Sequence, residues 1–162
     1  MNLFEIEESY KMMIQDQIQI EPLENITQQE WLPLWLDYQN FYQTQLSEEV
    51  NQHTWQRLTD LAFGNMYGFA AILNQQVIGI VHVIQHDSCW TLTPYAYLQD
   101  LYTHIDFRGR GVARALIEKV YVDAKQHGCD RVYWLTHESN RQAQQLYDQV
   151  AKKTGFIQYR MD

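Results

Sequence analysis

Three features of the sequence predict a mixed α/β domain, antiparallel in its first half and closed by a β-α-β crossover in its second. Strand-like runs follow one another without a helix over residues 67–103. A helical stretch then separates two apolar runs, 96–103 and 131–136. A glycine-rich loop, Arg108-Gly109-Arg110-Gly111, joins the first of those runs to the helix. The full order reads β-α-α-β-β-β-α-β-α-β.

Residues 1–16 are read as an N-terminal extension with a short helix, and 17–162 as a single domain. Alternation over 18–23 makes a strand that ends at Pro22. Thr27 with Glu30 forms a capping box that opens a helix, and Pro33 fits its early turns. Trp31, Leu34, Trp35, Tyr38, Phe41 and Tyr42 recur at three- and four-residue steps, giving that helix one aromatic face. Ser47 caps a second helix over 48–61. The runs 67–73 and 77–85 form a hairpin across Asn74-Gln75-Gln76, and 96–103 is the next strand. A helix over 112–127 buries Val112, Leu116 and Val120 and stops near Gly128. Residues 131–136 make a short apolar strand, Asn140 caps a helix running to Val150, and 155–160 reads as a last strand.

Composition removes several classes of function. With 162 residues and 46% hydrophobic content, the chain has enough apolar mass for a real core. Twenty acidic against 12 basic residues give a net charge of −8, which excludes a general nucleic-acid binder and suits a cationic substrate. No run has transmembrane length and the N-terminus lacks a basic leader, so no membrane association and a cytoplasmic location are expected. Cys89 and Cys129 lack metal-ligand spacing. His82, His86 and His104 form no metal constellation and read as surface or packing residues, so no metal is expected.

The loop is the strongest local signal. Amides at a helix N-terminus after turn-forming glycines bind phosphate, and Arg108, Arg110 and Arg114 add positive charge. A P-loop is excluded because Val112 and Ala113, not Lys and Ser or Thr, follow Gly111. A dinucleotide fingerprint is excluded because Arg114 stands where its third glycine belongs. An ordinary strand-to-helix connection, with glycines only for the turn, remains the alternative.

Arg108-Gly109-Arg110-Gly111-Val112-Ala113 resembles the R/Q-x-x-G-x-G/A loop of the Gcn5-related N-acetyltransferases (GNAT). Asn140, Ala143, Leu146 and Tyr147, followed by Gly155-Phe156, resemble that family's second signature. The resemblance covers roughly residues 17–160. The aromatic helix, the strand Tyr-Leu-Gln-Asp-Leu-Tyr at 97–102 and the segment 132–140 are similar to the Hpa2-like branch and to polyamine (spermidine/spermine) acetyltransferases.

The resemblance implies a mostly antiparallel sheet with helices on both faces and a splayed strand pair that admits acetyl-coenzyme A. It implies that Arg108, Gly109, Arg110, Gly111, Val112, Ala113 and Arg114 hold the pyrophosphate. Leu101, Tyr102 and Thr103 would line the pantetheine arm, with Asn140 and Ala143 on the opposite wall. Tyr147 would give a proton to the departing thiolate, and Asp100 would serve as base or ammonium partner. Gln99 departs from the polyamine branch, where a Glu-Asp pair is found. Tyr38, Tyr42, Gln99, Asp100, Trp134 and His137 are the candidate acceptor pocket. The activity implied is direct acetyl transfer to a primary amine of a polyamine, a diamine or an amino-acid-like molecule. The alternatives are acetylation of a protein lysine or N-terminus, and an acyl-coenzyme A-binding sensor. A homodimer is expected, since many relatives complete their sheet against a partner.

Overall fold

One five-stranded sheet carries every other element. Its strands are β1 (Gln19–Pro22), β2 (Met66–Leu73), β3 (Gln76–His86), β4 (Tyr95–Thr103) and β5 (Arg131–Tyr133), in that spatial order. The first three ladders are antiparallel and the β4–β5 ladder is parallel. The computed structural model describes residues 2–3, 5–7, 9 and 18–161. Within 1–16, residues 3, 5–7 and 9 are helical, and the rest of the helix expected there lies outside the described residues.

Local chemistry explains the helix starts. Thr27 and Glu30 complete the capping box of α1 (Gln28–Phe41), each side chain bonding the other's backbone amide. Ser47 accepts from Val50 at the start of α2 (Glu48–Thr59). α3 (Val112–Gln126) begins after Gly111 and stops before Gly128, both at positive φ. Asn140 caps α4 (Arg141–Val150). Asn74 and Gln75 take φ of 51° and 66°, closing the β2–β3 hairpin.

The sheet has a core on each face. α1 and α2 bury Trp31, Leu34, Trp35 and Leu58 against Ala70, Ile80 and Tyr102. α3 buries Val112, Leu116 and Val120 against Ile78, Val81 and Leu98. Trp35 Nε1 and Gln39 Nε2 both donate to Asn51 Oδ1, at 2.8 and 2.9 Å, tying α1 to α2.

Two strand expectations are corrected. The strand expected over 131–136 ends at Tyr133, because the chain leaves β4 at that point. The last strand, expected over 155–160, does not form. Residues 152–161 carry no regular structure and are exposed. A strand exists only where its amides and carbonyls join a ladder, and among the described residues no strand pairs with this segment.

Gly79 sets how closely α3 approaches the sheet. A Cβ there would lie 2.8 Å from Val112 Cγ1 and 3.2 Å from the Tyr102 carbonyl oxygen. Gly79→Ala should therefore cost about 1–3 kcal/mol by overpacking, read from urea denaturation. An unchanged midpoint would show that the helix start can move freely.

Candidate active site

The β4–β5 ladder pairs Tyr95 with Arg131, Ala96 with Val132 and Tyr97 with Tyr133, then stops. β4 continues to Thr103, while the other chain turns away through Trp134, Leu135 and Thr136. Between them opens a cleft of about 510 Å³. Its floor is β4, one wall is the loop and the start of α3, and the other is α4.

Backbone groups on the open side of β4 are left to the cleft. His104 N donates to Ile78 O at 2.9 Å, so Tyr102 and Ile80 form the next hydrogen-bonded pair of the antiparallel ladder. Alternation then turns the N–H and C=O of Leu101 and Thr103 to the opposite edge. Arg108 Nε occupies one of these acceptors, the Thr103 carbonyl, at 3.1 Å. The buried Thr103 hydroxyl has no partner.

At the other end of the cleft, Gly109 and Gly111 hold φ of 73° and 83°. An L residue in that region is strained, which explains the glycines. Gly111 supplies no side-chain cap, so the first amides of α3 remain open to an anion. Arg114 lies on this wall and donates to Gln149 of α4 across the cleft. Arg108 turns away from the amides: its Cζ lies 5.4 Å from the Tyr102 ring and 5.9 Å from Phe41. Arg110 stacks over Phe107 at 5.4 Å and does not line the cleft.

Tyr147 projects from α4 into the cleft, its ring edge-on to Trp134 at 5.4 Å. Burial, with the nearby Tyr42 phenol, pushes its pKa up to about 12. It therefore carries its proton throughout the neutral range. Tyr38 and Tyr42 line the opposite rim with rings 5.0 Å apart. Burial first, then the Asp100 carboxylate, raises the Tyr38 phenol far above its usual range, so it too stays protonated.

The predicted residues are mostly brought together. Tyr38, Tyr42, Gln99, Leu101, Tyr102, Thr103, Arg108, Gly109, Gly111, Val112, Ala113, Arg114, Trp134, Asn140, Ala143 and Tyr147 all line the cleft. Asp100 sits behind that surface with its side chain 14% exposed, placed there by a bulge. His82 pairs with Asp100 and Val83 with Leu98, so Gln99 is the extra residue. His137 is exposed, and its Nδ1 bonds Ser139 in the turn before α4. Sequence reasoning missed Phe41, Leu135, Gln142, Gln145 and Gln149 as cleft residues. Gln142, Gln145 and Gln149 share one face of α4 with Leu146, so helical spacing from Asn140 was the available signal. His82, read as surface or packing, is fully buried and hydrogen-bonded at both ring nitrogens. Neither Cys89 nor Cys129 lines the cleft. Among the described residues, no helix is long and apolar enough to cross a membrane, and no three His, Cys, Asp or Glu group as metal ligands.

A splayed parallel strand pair, strand amides turned to its centre and uncapped amides at a helix start make a cleft suited to an extended ligand that carries an anionic group. The chain belongs to the Acetyltransferase (GNAT) family, whose model matches residues 20–152. It is an N-acetyltransferase. It is 34% identical to the D-amino-acid N-acetyltransferase HPA3 of Saccharomyces cerevisiae, over 94% of this chain and 96% of that protein. It is 31% identical to a thialysine N-epsilon-acetyltransferase of Caenorhabditis elegans, over 60% of this chain and 63% of that one. The aminoglycoside N-acetyltransferase AAC(6')-Iy, solved with CoA, shares the fold at 17% identity with a TM-score of 0.77, over 90% and 94% of the two chains.

The Tyr147 phenol gives a direct test of this geometry. Its pKa rises from the ordinary 10.0 to about 12 on folding. Between those values the folded chain keeps a proton that the unfolded chain has lost, so this group makes stability fall as pH rises through that window. An alkaline difference absorbance titration of the wild type against Tyr147→Phe should place the missing transition near 12. A transition near 10 would mean that the phenol is not buried.

Proposed function

We propose that the protein transfers acetyl from acetyl-coenzyme A directly to the primary amine of a small amino-acid-like molecule. The observation that carries this reading is the composition of the acceptor rim. Tyr38 and Tyr42 form an aromatic wall backed by the carboxylate of Asp100. Gln99 contributes no second negative charge, and the Arg108 guanidinium stands against the Phe41 and Tyr102 rings nearby. An anion and a cation in the same region suit a molecule that carries both an ammonium and a carboxylate. They suit a polyamine or diamine, which carries only positive charge, less well. The two relatives named for amino-acid substrates support the same choice.

In this reading the free amides of α3, with Arg114, hold the pyrophosphate, and the open edge of β4 holds the pantetheine arm. The Leu101 and Thr103 amides face the thioester, so they are placed to donate to its oxygen as negative charge builds there. Asp100 attracts the ammonium and takes its proton through water. The freed amine attacks the thioester carbonyl and an N–C bond forms; the nitrogen then releases its second proton to solvent and the C–S bond breaks, leaving a neutral amide. Tyr147 gives its proton to the departing thiolate and regains one from solvent. No cysteine lines the cleft, so transfer is written without a covalent acyl-enzyme.

Thiol release from acetyl-coenzyme A across D- and L-amino acids, thialysine, diamines, polyamines and lysine peptides tests the acceptor. The highest kcat/KM is expected for an amino acid. A polyamine or peptide optimum would overturn the acceptor class, and binding without turnover of any amine would sink the mechanism. Tyr147→Phe should lower kcat by about 100-fold while leaving the KM for acetyl-coenzyme A within about twofold. Unchanged turnover would remove Tyr147 as the acid.

The proposal includes a homodimer. Phe156, Tyr159 and Met161 are 92%, 88% and 97% exposed, and among the described residues no strand pairs with the outer edge of β5. An extended apolar segment and an open sheet edge are complementary needs, and a second copy meets both. Light scattering should give twice the chain mass, falling to one chain mass on truncation after Ala151. A monomer at all concentrations would overturn this.

A further inference from the structure

We propose that His82 is a positioning residue for acetyl transfer: its imidazole, fixed in one tautomer by the Trp31 indole, holds the Asp100 carboxylate at the acceptor end of the cleft. The functional half of this inference rests on the reading of Asp100 as the ammonium partner. His82 is 1% exposed and lies on β3 directly across from Asp100. Its Nε2 is 2.9 Å from Trp31 Nε1, and its Nδ1 is 3.0 Å from Asp100 Oδ2.

An indole nitrogen can only donate, so Nε2 must offer a lone pair. The ring proton therefore sits on Nδ1 and is donated to Asp100. Protonating both nitrogens would set one N–H against another, so His82 is neutral. The imidazole is closed to the cleft by Trp31 and Trp35, whose rings lie 5.9 and 5.1 Å away. A buried His–Asp pair invites reading the histidine as a base, but Trp31 occupies the nitrogen a base would use. The chain of bonds ends at the indole, and Asp100 is its outward-facing end. The Gln99 bulge makes the arrangement possible by setting Asp100 opposite His82.

The tautomer is read by nitrogen-15 NMR of the imidazole in the folded protein. Nδ1 should be protonated and Nε2 bare, with the Trp31 indole proton slow to exchange. A protonated Nε2 would overturn the proposal. The function is read by kinetics. His82→Leu should lower kcat/KM for the amine by about tenfold or more, with the KM for acetyl-coenzyme A within about twofold. His82→Asn, whose amide nitrogen falls near the position of Nδ1, should recover most of that loss. In an Asp100→Asn background, His82→Leu should cost nothing further. Equal losses in the Leu and Asn variants, or full additivity with Asp100→Asn, would reduce His82 to core packing and overturn the proposal. If Asp100→Asn alone leaves amine kinetics unchanged, the reading of Asp100 fails. The nitrogen-15 spectrum then still decides the tautomer.

Discussion

A β-strand's backbone groups must find partners, and the site exists because β4 is denied half of its own. After Tyr97 and Tyr133 the parallel ladder stops, yet β4 runs on to Thr103 with β3 on its other side. The N–H groups of Leu101 and Thr103 and the Leu101 carbonyl face a gap that another strand would normally fill, while the Thr103 carbonyl accepts from Arg108. Leaving buried amides unpaired is costly, so such an edge favours whatever extended amide-bearing ligand can complete the ladder. A pantetheine arm is such a ligand.

The splay must be held open, and each wall is anchored separately. α3 is pressed onto the sheet at Gly79, where no side chain intervenes, and its first turn is presented by glycines in the left-handed region. α4 is started by Asn140 and packs Leu146, Tyr147 and Val150 against the same core as α3. Arg114 reaches Gln149 across the mouth. The uncapped amides of α3 and the phenol of Tyr147 thus belong to different walls, with β4 as their shared floor. Their spacing is set by core packing on one face of the sheet rather than by contacts within the site.

What the sequence disclosed follows the range of the interaction. Helix starts at Thr27, Ser47 and Asn140 depend on residues three positions away, and the loop glycines answer to their own φ angles, so both were legible. The aromatic face of α1 was legible from spacing. The gap after Tyr133 was not, because Val132 to Leu135 run on as bulky, strand-favouring residues and nothing local says where pairing ends. The strand expected at 155–160 has the right residues, but among the described residues no strand ladder takes it in, which local pattern cannot reveal. His82 is the clearest case. Its hydrogen-bond partners lie 51 and 18 residues away, and only the Gln99 bulge puts Asp100 on the side that His82 faces. A lone histidine in an apolar strand gives no hint of either partner.

That bulge also bears on which amine is chosen. Without the extra residue, strict alternation would set the residue two beyond Leu98 on the α3 face, inside an apolar core with no partner for a carboxylate. With it, Leu98 stays in that core while Asp100 turns to the face of α1, beside Tyr38 and against His82. Gln99, the displaced residue, is the one that lines the cleft, and it is neutral. The negative charge is therefore set back behind a phenol rather than exposed at the surface. In the proposed reading, this recessed, aromatic-screened anion attracts one ammonium group. On that reading a molecule with one ammonium beside a carboxylate pairs with Asp100 and Arg108 together.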